Sequence, residues 1–473
     1  MKQLAVFLSL IFLLSTLSIG AESLRSTLDD QKTMAITIYN SNLALVKDVR
    51  EILLPTGTFE LRFMDVAQNI NPATVYIKSV NQPEKLSILE QNYEYDLLNP
   101  QKLMEKYIDK TVKVVDKNYY TGEETIYDAK VLSTNGAPIF EVDDKIMVGL
   151  PHRIIYPSIP ENLIAKPTLV WLLDNNYNKK HTVEASYLTG GINWKADYVA
   201  VLDKDDKKVD LNGWVTINNN SGAAYKDAAI KLVAGDVNRV YDEFNGLRTD
   251  KLMRAEAKAG SEFTEESLFE YHLYTLQRPA TIKQNQTKQI SLLQSTDIPV
   301  KKELIYWGAE YYYRSQYGQP VSNQKVGAYI NIENRKENHL GMPLPKGTIR
   351  VYKADNEGSL QFIGEDSIDH TPKDEKIKIK LGDAFDVVGE RKQLDWKSFG
   401  VLRNIYEVEW EISLRNHKDE DTGVRVIEPV PGDWEVLSST HKWEKTEAHT
   451  LEFNVKIPKN EEVKIRYRIR THY

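Results

Sequence analysis

The sequence predicts a mainly β protein: several antiparallel β-sandwich or small-barrel domains in tandem, with few short helices. Three observations predict it. Apolar residues recur with a period near two along most of the chain, the spacing that turns one face of a strand toward a core. Turn-forming pairs such as Asn135-Gly136 and Asp143-Asp144 interrupt these runs at short intervals. The length, 473 residues, exceeds what one hydrophobic core serves, so several cores are expected.

Taken in order, the chain opens with Lys2, an apolar run over residues 4–17, and the small residues Ser18, Gly20 and Ala21. This reads as a secretory signal peptide over 1–21, cleaved after Ala21, and implies export to the periplasm or beyond. The run is shorter than the roughly 20 apolar residues a spanning helix needs, and no later stretch is apolar enough, so no transmembrane segment is expected after the signal is removed.

Residues 30–97 read as an N-terminal β domain: after the turn Pro55-Thr56-Gly57, Phe59, Leu61 and Phe63 alternate with Glu60 and Arg62, and Val75 and Ile77 suggest a further strand. Residues 98–165 read as a small β-barrel-like domain with one short helix, capped by Asn99 with Pro100 at its first position. Short β-prone runs follow at 112–115, 125–132, 138–142 and 145–148, until Pro151, Pro157, Pro160 and Pro167 break the ladder. A first sandwich is expected over 166–320, with strands near 168–173, 182–188, 198–202, 213–218 and 229–234. The interval 241–269, rich in Ala, Glu and Lys, reads as a mobile loop with partial helix inserted in it. A C-terminal sandwich spans 321–473.

The last block carries charge rows. Lys464, Arg466, Arg468 and Arg470 alternate with Val463, Ile465, Tyr467 and Ile469; Glu407, Glu409 and Glu411 alternate with Tyr406, Val408, Trp410 and Ile412; Lys376, Lys378 and Lys380 form another basic row. Opposite charges facing each other across strands stabilise and like charges destabilise, so the acidic strand is expected beside a basic one. The competing use of a basic row is as a face for polyanions such as acidic glycans.

Composition narrows the chemistry. With 68 acids against 61 bases the net charge of −7 gives no strong single-signed field, and nucleic acid is not an expected partner. No cysteine is present, so thiolate zinc sites and cysteine nucleophiles are out, and no lipid can sit on a lipoprotein cysteine. The nine histidines include no pair at helical i, i+4 spacing around a glutamate, and there is neither a phosphate loop nor a Gly-x-Ser-x-Gly elbow. The acidic clusters Asp203/Asp205/Asp206 and Asp419/Glu420/Asp421 sit where hairpin turns are expected and read as turn chemistry. No catalytic residue, metal site or cofactor is assigned. The aromatic run Tyr306, Trp307, Tyr311, Tyr312, Tyr313 and Tyr317 offers Trp307, Tyr311 and Tyr313 as a binding patch, with ordinary packing as the competing reading. On strand spacing Tyr311 and Tyr313 share a face and Tyr312 takes the other.

Four segments carry a resemblance: Tyr187-Leu188-Thr189-Gly190-Gly191-Ile192-Asn193-Trp194 followed by Tyr198; Gly213-Trp214-Val215 with Asn219-Asn220-Ser221-Gly222 and residues 228–232; Leu344-Pro345-Lys346-Gly347 with Val351-Tyr352; and Gly382-Asp383-Ala384-Phe385-Asp386-Val387. In this order they resemble the bacterial domain of unknown function 4139, found at the C-terminal end of mucoidy-inhibitor-A-like proteins, here without the coiled-coil segment those relatives carry. The resemblance implies a shared β-fold and an extracytoplasmic setting, and brings no catalytic residues with it. The expected role is an exported bacterial envelope protein, a non-catalytic binding or structural module whose partner is an envelope protein or a glycan. The alternatives are a glycan- or peptide-active hydrolase whose site forms only in three dimensions, and an adhesin or surface-assembly subunit.

Overall fold

A computed structural model describes residues 23–118, 120–160, 163–235, 237–238, 263–269, 271–399 and 405–472. The expected signal peptide and most of the 241–269 insertion lie outside them. Strands dominate, and the one α-helix among the described residues is Pro100–Glu105. Its start is where the sequence places it: the Asn99 side chain accepts a hydrogen bond from the Lys102 amide (2.9 Å), and Pro100 takes the first turn, where its missing N–H costs nothing.

Among the described residues the strands form four open sheets of four, five, eight and thirteen strands. The segment expected as a small barrel is an open five-stranded antiparallel sheet whose edges, Lys145–Val148 and Arg153–Ile155, do not pair with each other. Within 241–269, Phe263–Leu268 is not loop but a strand, paired antiparallel with Tyr271–Leu276. Among the described residues no helix is long and apolar enough to cross a membrane.

Sheet order departs from chain order. Thr168–Asn175 returns to pair with Gly57–Met64 and Leu86–Glu94, and Tyr225–Ala234 lies parallel to Gln31–Tyr39. One hydrophobic core therefore collects side chains from Met34 to Ile379, including Trp171, Trp194 and Tyr198. A second gathers Leu304, Tyr306, Trp410, Phe453, Tyr467 and their neighbours, and a small third lies under the five-stranded sheet around Val112, Val131 and Phe140.

Three long strands join the first two cores. Gln286–Trp307 places Ile290 and Ile298 in the first and Leu304 and Tyr306 in the second; Val321–Glu333 and Lys376–Phe399 are shared in the same way. In the first of these, Asp297 has φ +58° and Pro299 lacks an amide hydrogen. Asp tolerates the left-handed region and Pro cannot donate to a ladder, so the strand can bend there. Up to Pro299 it pairs with Lys208–Asn219, and from Val300 with Val321–Glu333.

Candidate recognition face and the core behind it

The second core and the sheet face outside it are built from the same strands, because successive side chains point to opposite sides. Leu304 and Tyr306 point inward, so Glu303, Ile305 and Trp307 point outward. On the parallel neighbour Thr422–Pro429, Val424, Val426 and Glu428 are inward and Arg425 and Ile427 outward.

Inward, Arg391 and Glu428 are both fully buried and ion-paired. The guanidinium donates to both carboxylate oxygens, at 2.8 Å to Oε2, and Tyr313 donates to the same oxygen at 2.8 Å. The Tyr313 and Tyr467 hydroxyls meet at 2.9 Å. Rings surround the cation: its central carbon lies 4.6 Å from Tyr312, 5.3 Å from Trp410 and 5.6 Å from Tyr306. Burial opposes the guanidinium charge, but Glu428 and the tyrosine hydroxyls more than offset it and raise the Arg391 pKa. Burial pushes the Tyr313 and Tyr467 hydroxyls well above their usual range, which keeps them neutral hydrogen-bonding groups. Gly389 makes room for this cluster, since a Cβ there would stand 2.1 Å from a Tyr306 ring carbon.

Outward, Trp307 is 45% exposed. The Lys378 ammonium lies 5.3 Å from its ring centre and 4.6 Å from that of Tyr329. The Tyr329 ring reaches over position 327 because that residue is glycine; a Cβ would come within 2.7 Å of its ring. Ile305 and Ile427 on this face are buried. The result is an aromatic and cationic surface over apolar residues, chemistry suited to stacking and ion pairing.

A model of the family described as domain of unknown function (DUF4139) matches residues 183–473. The chain belongs to that family. The match covers well over half of the chain and takes in both the recognition face and the Arg391 cluster. No curated protein matches the chain.

Within the DUF4139 region the structure separates the three aromatic residues singled out from the sequence. Trp307 and Tyr311 are exposed, at 45% and 57%, but Tyr313 is at 0%. Tyr311 and Tyr313 do not share a face: Glu310–Tyr313 is a turn of 3-10 helix, which buries Tyr312 and Tyr313 and leaves Tyr311 outside. Tyr311 lies against Tyr312 with its ring tilted by 52° (centroids 4.6 Å apart) and makes no ring contact with Trp307 among the described residues. The patch that forms instead is Trp307, Lys378 and Tyr329, whose sequence signal was the Lys376/Lys378/Lys380 row.

The charge rows of the DUF4139 region pair as expected. Glu407, Glu409 and Glu411 stand opposite Arg470, Arg468 and Arg466. Arg468 reaches Glu409 at 2.6 Å and Asp395 at 2.8 Å, and Arg470 reaches Glu407 at 2.6 Å and Glu435 at 2.9 Å. This basic row is thus neutralised by its neighbours. The acidic clusters serve their turns: Asp203 accepts from the Lys207 and Lys208 amides, Asp206 pairs with Lys302 and Lys353, and Asp421 pairs with Lys456. Among the described residues no group of three or more His, Asp or Glu side chains could hold a metal.

Upstream of the DUF4139 match, which begins at Val183, Ser79 meets His181. The Ser79 hydroxyl is 2.9 Å from His181 Nδ1, donates to Asn81 Oδ1 (3.1 Å) and accepts from the Gln82 amide (3.2 Å). Asn81 is itself oriented, accepting from the Thr182 amide and donating to the Lys180 carbonyl. Both side chains are buried, and His181 Nε2 has no hydrogen-bond partner among the described residues. A surface cleft of about 390 Å³ is lined by Ser23, Leu24, Leu53, Leu54, Pro55, Thr56 and Asn178, none of which titrates in the acid–base range.

Proposed function

We propose that this DUF4139 protein is an exported component of the bacterial envelope that binds its target without transforming it, through the Trp307 face. The leader-like residues 2–21 support export. The observation that carries the binding reading is the exposed Trp307 beside Tyr329 and Lys378 on a sheet face. A non-catalytic role fits the groups that most resemble reactive ones: Arg391, Glu428, Ser79 and His181 are buried and occupied with one another. The target class is a glycan, since flat rings on an open sheet suit the CH faces of sugars.

The test is binding of the mature protein to isolated cell envelopes. Trp307→Ala is expected to lose association while its melting temperature stays within about 1 °C, as for a surface substitution. Retention of full binding would end this reading, and sequencing the mature N-terminus checks cleavage after Ala21.

One observation favours a second reading, a surface-assembly subunit. The edge strand Lys145–Val148 is unpaired on one side among the described residues, and Ile146 and Val148 on it, with Leu150 beyond, are exposed. Natural edges are ordinarily protected by charge or cover. Val148→Lys would then reduce self-association in sedimentation measurements.

A further inference from the structure

The Lys376, Lys378 and Lys380 row is uneven. Lys376 reaches Glu333 at 3.7 Å and Lys380 reaches Asp383 at 3.2 Å. Lys378, between them, makes no ion pair among the described residues and lies over the Trp307 and Tyr329 rings instead. The carboxylates nearest this face are engaged elsewhere: Glu303 with Lys301 (2.8 Å) and Arg425 (3.4 Å), Glu452 with Arg425 (3.5 Å). Around Lys378, Arg425 opposes its ammonium while Glu303 and Glu452 favour it, and both carboxylates are already shared with Arg425. Burial, and after it the Arg425 charge, lower the Lys378 pKa, so its ammonium is held at a cost that an arriving anion would relieve.

The strands beneath are interior to the sheet. Gln286–Trp307 is hydrogen-bonded to Val321–Glu333 and to Thr422–Pro429, and Val321–Glu333 also to Lys376–Phe399. Their backbone groups are engaged, so a peptide cannot add here as a further strand. What the face offers is ring surface and one ammonium that makes no ion pair among the described residues.

Building on the recognition face proposed above, we propose that its ligand is an acidic saccharide, a pyranose packed on the exposed Trp307 ring beside Tyr329 with its carboxylate on Lys378. Stacking supplies the affinity for sugar and the ammonium selects for acid.

The experiment uses the mature protein and a panel of hexuronic acid oligosaccharides, each paired with its carboxyl-reduced neutral counterpart, with binding read by calorimetry and tryptophan fluorescence. An acidic oligosaccharide is expected to bind better than its reduced counterpart. Lys378→Met should erase that preference by about five-fold, the scale of one exposed ion pair. Trp307→Ala should weaken both forms by about ten-fold, the scale of a stacked ring. Equal binding of acidic and reduced chains, unchanged in Lys378→Met but lost in Trp307→Ala, overturns the acidic preference and leaves the recognition face standing. Silence of the whole panel also overturns the inference, and if Trp307→Ala still abolishes envelope binding, the face then serves a different ligand. Binding unaffected by Trp307→Ala in both assays overturns the face itself.

Discussion

Replacing Glu428 by alanine strands a guanidinium that has no exposure, because Arg391 makes its only ion pair among the described residues with this carboxylate. Breaking a buried pair from one side costs about 3–5 kcal/mol, whereas replacing both partners by apolar side chains of similar volume is near neutral. Glu428→Ala is therefore expected to lose that much in urea unfolding, and Arg391→Met combined with Glu428→Leu to recover most of it. His181 makes a different prediction. Burial lowers its pKa, with the Tyr177 backbone acting weakly against. The unfolded chain thus takes up the proton first, so stability is full above the ordinary histidine pKa of about 6.5 and falls as pH drops from there toward the lower folded value. His181→Gln should flatten that slope in melting curves recorded between pH 7 and pH 5. None of these partners was legible in the sequence: Arg391, Glu428 and Tyr467 lie 37 and 76 residues apart along the chain, and no local pattern links them.

At the scale of strands, the facing charge rows are the feature a sequence states most directly, since alternation assigns each Glu and Arg to a face before any fold is known. Their pairing sets the register of Ile405–Asn416 against Glu462–His472. Glu409→Arg places like charges opposite Arg468 and is expected to destabilise by about 1 kcal/mol, and adding Arg468→Glu to restore only part of it, because Asp395 and Glu407 also face position 468. A double-mutant cycle in denaturant measures the coupling. The same alternation misled at Glu310–Tyr313, because after Trp307 the chain leaves the ladder and curls into a 3-10 turn. Without a ladder the period of two has no physical basis, so Tyr313 went inward instead of joining Tyr311.

At the scale of the whole molecule, the family match and the cores have different limits. The match begins at residue 183, inside the strand Lys180–Thr189, which pairs with Leu43–Leu53 and Tyr76–Ser79. The first core includes Ile36, Ile38, Val46 and Trp171 from before the match, and the second core takes none of its residues from there. A 183–473 fragment is therefore expected to keep the second core and lose the first. Hydrogen exchange on the fragment should show protection around Trp410 and Ile465 and little at Ala196 or Ile217; uniform native protection would contradict this.

The sequence by itself determined that the protein is made of strands, which faces of many of them are apolar, where the short helix starts and that the acidic row would lie beside a basic one, because period, capping and facing charge act over a few residues. Only the tertiary structure decided that Thr168–Asn175 returns to Gly57–Met64, that three long strands serve two cores, and that Lys378 lies over Trp307 and Tyr329. Those outcomes depend on pairings between segments far apart in the chain. Several strands with similar alternating patterns compete for each pairing, and what selects among them is the burial of all the apolar faces at once.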